Sequence, residues 1–102
     1  MKSNTKRVWL THQELLETIA IVRAIKQAAV KQHNKAELRL MNEILNTLLD
    51  FDIDSKGTVV VLDSMTRYSL WNFVEQYATF CADNKMHIDY ALAVTIATKL
   101  SG

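Results

Sequence analysis

Five residues near the middle of the chain, Asp52, Asp54, Gly57, Val59 and Asp63, fall at positions 1, 3, 6, 8 and 12 of a calcium-loop register. Calcium needs a dense oxygen shell and a bidentate acid at the last position. Here position 5 is the cation Lys56, and Asp63 has a shorter reach than Glu. The segment therefore reads as a solvated turn ending in a helix cap, and no metal is assigned. His12, His33 and His87 are isolated from one another, and Cys81 has no cysteine partner, so the spacing expected of zinc ligands is missing. Cys81 shares a helical face with Leu70, Phe73, Val74 and Tyr77, the setting of a buried, inert thiol rather than a nucleophile. There is no nucleophile elbow, glycine-rich phosphate loop or nucleotide fingerprint. The expectation is a protein that is not an enzyme and holds no cofactor.

Charge offers a second kind of chemistry. The net charge is +1, yet residues 1–39 hold eight Lys/Arg against three Glu, and residues 40–102 hold four against eight Asp/Glu. Arg23 and Lys31 lie on one polar strip, Lys35 and Arg39 continue it, and Lys2, Lys6 and Arg7 form an N-terminal arm. Phosphate contact needs only such a cluster. Two helix-turn-helix registers fit poorly. At 24–43 a Gln occupies the turn, and at 74–93 the reading helix offers no Arg or Lys before Lys99. A solvated basic face, or attraction between the two halves, accounts for the asymmetry equally well.

The aromatic residues point more directly to binding. Five of the eight lie within Tyr68–Phe80. Leu70, Phe73, Val74, Tyr77 and Phe80 form a core arc, while Tyr68 and Trp71 continue beside Ala78 and Ala82 as a shoulder of residue types that anchor interfaces. The last helix, with Ala91, Ala93 and Ala97, lets a partner helix approach closely. The candidate partner-binding residues are thus Tyr68, Trp71, Ala78, Ala91 and Ala97.

These side chains must be carried by helices. The chain has no proline, and its only glycines are Gly57 and Gly102, so little interrupts the three- and four-residue recurrence of apolar side chains. Thr11 and Glu14 form a capping box before a helix over about 12–33. Its main apolar face is Leu15, Ile19, Val22, Ile25 and Ala29, widened by Ile21, Ala24 and Ala28. Asn34 and Glu37 cap a second helix, about 35–50, with Leu40, Met41, Ile44, Leu45, Leu48 and Leu49 inward. The β-branched run 58–62 predicts a strand, and 7–10 a short extended segment. Asp63 or Ser64 caps a third helix, about 65–83, and a fourth covers about 88–100. The fourth, with Tyr90, Ala91, Ala93, Val94, Ala97 and Thr98, is expected to be central or at an interface.

A shift of 52 residues places Val8 on Val60, Leu10 on Leu62, Val22 on Val74, Leu40 on Leu92, Ile44 on Ile96 and Leu48 on Leu100 without gaps. That pattern suggests strand–helix–helix twice over, although two helical hairpins of equal length would also match by apolar pattern alone.

The expected fold is mainly α, a four-helix domain over 7–102 behind a flexible tail at 1–6, with one or two short strands. The N-terminus has no apolar signal core, the longest uncharged stretch is Tyr90–Thr98, and the single cysteine suits a reducing compartment. The expectation is a cytoplasmic protein. Its expected function is that of an adaptor or regulator acting by protein–protein binding, as a homodimer, since the first and last helices carry more apolar surface than a lone domain of this size buries. Nucleic-acid binding through Arg23, Lys31, Lys35 and Arg39 is the alternative.

Overall fold

The computed structural model describes residues 5–49 and 56–101. The elements are β1 (Thr5–Thr11), α1 (His12–Lys31), α2 (Lys35–Leu49), β2 (Gly57–Asp63), α3 (Ser64–Asp83) and α4 (His87–Ser101). Over the described residues the protein is mainly α, with four helices and one two-stranded antiparallel sheet. Every element of the second half starts and ends 52 residues after its counterpart in the first. In the β1–β2 register Val8 lies opposite Val60, so a local twofold axis passes between a residue and its own repeat mate.

Local chemistry fixes the boundaries. Thr11 accepts from Glu14 N–H at 3.2 Å, and the Glu14 carboxylate accepts from Thr11 N–H at 2.9 Å, completing the capping box. Asp63 caps α3 by accepting from Thr66 N–H at 2.7 Å. Asn34 and Glu37 exchange hydrogen bonds of 3.1 Å at the start of α2. Both interhelical turns are Schellman motifs. His33 (φ 56°) and Lys85 (φ 58°) take the left-handed position. Asn34 N–H returns to Ala29 O at 3.1 Å, and Met86 N–H to Cys81 O at 2.8 Å.

Six identities of the 52-residue shift lie among the described residues, and they have matching burial. Val8, Leu10, Val22, Ile44 and Leu48 are buried, as are Val60, Leu62, Val74, Ile96 and Leu100, while Leu40 and Leu92 are both partly buried against the same core. The halves therefore bury their apolar surface against each other within one chain, around one core cluster.

Several expectations need correction. Ala24 and Ala28 are exposed, which leaves the α1 face narrower than the sequence suggested. Leu49 and Phe80 point outward, and Ala78 joins the inner arc, where Cys81 is buried as expected. α4 is buried only along Ala93, Ile96, Ala97 and Leu100, whereas Tyr90, Ala91, Val94 and Thr98 face solvent. β1 begins at Thr5, so Thr5 and Lys6 belong to the ladder; the rest of the expected tail, residues 1–4, lies outside the described residues. Among the described residues, the attraction between a basic first half and an acidic second half has no ion pair of that sense. The ion pair that crosses between them, Lys99 with Glu14, runs against the overall polarity.

Candidate functional site

Tyr68 stands at the start of α3 with two-thirds of its surface exposed, and its ring centroid lies 5.8 Å from that of Trp71, one turn on. Trp71 is half-buried and packs on the core. With Arg67, Leu100 and Ser101 these rings line a cavity of about 280 Å³ between the first turns of α3 and the end of α4. Arg67 Nη1 donates to Leu100 O at 2.7 Å. That bond satisfies a carbonyl left open by the helix terminus and fixes the guanidinium plane. Arg67 Nε is buried without a hydrogen-bond partner among the described residues. The notch thus offers a π-face, an aliphatic wall and a fixed cation within a few side chains.

The notch is not repeated. The 52-residue mates of Arg67, Tyr68 and Trp71 are Leu15, Leu16 and Ile19, of which only Leu16 is exposed. The sequence singles out Tyr68 and Trp71 by residue type but not Arg67, which reaches a carbonyl 33 residues away. The other residues expected in a binding surface separate. Ala91 is exposed on α4, whereas Ala78 and Ala97 are core residues and offer no surface.

Arg23, Lys31, Lys35 and Arg39 are all exposed and form no ion pair among the described residues. Their repeat mates are Glu75, Asp83, His87 and Ala91, so the basic strip belongs to one half only. The ribbon's solvent face carries Arg7 and Trp9 on β1, with Val59 and Val61 on β2. Trp9, Val59 and Val61 are each 50% exposed.

The calcium-loop spacing meets a strand. Gly57 and Val59 lie in the β1–β2 ladder, and the Asp63 carboxylate is used as the α3 cap, while Asp52 and Asp54 lie outside the described residues. Hydrogen bonds from the Thr66 backbone and hydroxyl hold Asp63 below its ordinary carboxyl value. No group of three or more His, Cys, Asp or Glu suited to a metal occurs among the described residues. Cys81 is fully buried. Burial pushes the neighbouring Tyr77 hydroxyl upward, and hydrogen bonds with Cys81 and Glu17 push it further, so the phenol stays protonated. Among the described residues, no helix is long and apolar enough to cross a membrane. Comparison with known protein families, curated proteins and solved structures gives no match.

Proposed function

We propose that this protein is a small non-enzymatic adaptor or regulator that works by docking a protein partner in the Arg67–Tyr68–Trp71 notch, and that it acts as a homodimer. The observation that carries the reading is Tyr68, an exposed aromatic ring braced by Trp71 beside a guanidinium fixed on α4. Ordering costs there are low because both anchors are held before a partner arrives. A partner segment with an apolar or aromatic side chain next to a carboxylate matches the notch: the ring packs on Tyr68 and Trp71, and the acid meets Arg67. Tyr68→Ala is the direct test, because Tyr68 is mostly outside the core. The partner retained by the parent on an affinity column should be lost with Tyr68→Ala while the far-UV dichroism stays unchanged. Full retention by that variant removes the notch from the reading.

A second reading has its own observation. Four exposed cations on α1 and α2 have no acidic partner among the described residues, and a two-stranded ribbon is a shape that the DNA major groove admits. It is the weaker of the two, because the 52-residue mates of Arg7 and Trp9 are Val59 and Val61, which bring no donor for base edges. Changing Arg23, Lys31 and Arg39 to Glu should abolish heparin retention if nucleic acid is the ligand. A parent protein that is not retained ends this alternative.

A further inference from the structure

The hydrogen-bonding phase of the ribbon follows from one contact beyond its end. His12 N–H donates to Lys56 O at 3.0 Å, in register with the Thr11–Gly57 pair. In an antiparallel ladder, mutually bonded pairs alternate with unbonded ones. The bonded pairs are therefore Leu10–Thr58, Val8–Val60 and Lys6–Leu62. The backbone groups of Arg7 and Trp9 on β1, and of Val59 and Val61 on β2, point away from the ribbon. Val59 and Val61 find no hydrogen-bond partner among the described residues.

The two edges differ in what guards them. Charged side chains on an edge strand discourage pairing with another chain. β1 carries Lys6 and Arg7, which set like charges against each other if two copies meet there. Between Gly57 and Leu62, β2 has no charge, no proline and three consecutive valines. A groove of about 440 Å³ runs along this edge, lined by Thr58–Val61 and by Asn46 and Thr47 of α2.

We propose that the occupant of this edge is β2 of a second copy, paired antiparallel about Val60, giving a four-stranded sheet in the order β1–β2–β2–β1. Val59 and Val61 of one copy then exchange backbone hydrogen bonds with Val61 and Val59 of the other, so every outward group on the two valines is satisfied. The charges agree with this direction, since antiparallel pairing brings each Lys56 to the end of the strand where the other copy carries Asp63. The inference rests on the homodimer of the reading above but places its interface away from the notch, which stays open for a different partner.

The test uses the intact protein in light scattering and amide exchange. Val61→Pro removes one outward N–H without touching the β1–β2 ladder, and Val61→Lys puts a charge on the bare edge opposite Val59 of the other copy, with the two lysines diagonal neighbours across the dyad. The parent should scatter as a dimer, and each variant should weaken the dimer by about tenfold or more in dissociation constant, with helical dichroism retained. The Val59 and Val61 amides should be protected in the parent and lose that protection on dilution, while Arg7 and Trp9 amides exchange rapidly throughout. Should Val61→Pro fail to fold, Val61→Lys decides. A parent that is monomeric at all concentrations overturns the proposal, as does a dimer that survives Val61→Lys. So does a dimer that dissociates in Tyr68→Ala, which would move the interface to the notch. If Tyr68→Ala loses its heterologous partner and keeps the dimer, both readings stand; if partner binding is indifferent to Tyr68 and the dimer falls apart in Val61→Lys, only the edge does.

Discussion

Lys99, near the end of α4, reaches Glu14, in the first turn of α1, with Nζ 2.5 Å from Oε1. The same carboxylate oxygen accepts the backbone N–H of Thr11. One buried acid thereby closes the capping box of the first half and ties it to the last helix of the second. Burial pushes the Glu14 carboxyl up, but the hydrogen bonds from Lys99 and Thr11 and the ammonium charge outweigh it, and the group titrates below its ordinary 4.5.

Removing the cation should expose that arrangement. In Lys99→Met the Glu14 charge stays buried without its counter-ion, at a cost of about 1–3 kcal/mol. Because the folded-state pKa is depressed, this stabilisation is complete above 4.5 and is lost as pH falls through the lower folded value. Urea unfolding at pH 7 should separate parent from variant, and the gap should shrink at pH 3. A constant gap across that range would mean that Lys99 acts through packing alone.

Gly57 is required by space, not by backbone conformation. A Cβ there would lie 2.5 Å from Leu10 O and 2.7 Å from the Trp9 ring. The carbonyl belongs to the bonded strand and has nowhere to go. Gly57→Ala should destabilise by about 1–3 kcal/mol, as overpacking does. Chemical denaturation would show it, and a neutral result would mean that Trp9 swings clear and the ladder end shifts.

Much of the fold was legible because each signal was local. Thr11–Glu14, Asn34–Glu37 and Asp63 state where helices begin, and the 52-residue match of Val8, Val22, Ile44 and Leu48 reproduces the repeat of structural elements. Burial of Glu14 was not legible, since it depends on a lysine 85 residues away. Nor was the exposure of Phe80 and Leu49, because a wheel gives the direction of a side chain and not the width of the neighbour that covers it. Alanines carry little information for the same reason: Ala24 and Ala28 face solvent, while Ala93 and Ala97 lie in the core. Within the candidate site, Tyr68 and Trp71 announced themselves by type, and Arg67 acquires its role only from the fold.

The two left-handed turn residues should be improvable. His33 and Lys85 both hold positive φ, which costs a side-chain-bearing residue about 1 kcal/mol. Glycine relieves that strain and gives back part of it through greater freedom in the unfolded chain. His33→Gly and Lys85→Gly should each stabilise by a few tenths of a kcal/mol to about 1 kcal/mol, and their effects should add because the turns are separate. Thermal melts of the two single variants and the double variant would test this. A loss of stability in either would mean that the replaced side chain makes contacts worth more than the strain.

The pairing of Val8 with Val60 makes each half incomplete alone. Without β2, β1 has no ladder, and Val8 and Leu10 lose the cover that places them at 3% and 1% exposure. A single strand with a helical hairpin of about fifty residues has too small a core to stand by itself. Residues 1–50 made separately should therefore show little cooperative structure at micromolar concentration, and adding residues 51–102 should restore the helical dichroism. If residues 1–50 associate with themselves by pairing β1 about Val8, the melting temperature will rise with concentration, which again reports the need for a second half. A fragment that melts cooperatively at a concentration-independent temperature as a monomer would show that the core of one half suffices, and that the ribbon joins two domains instead of completing one.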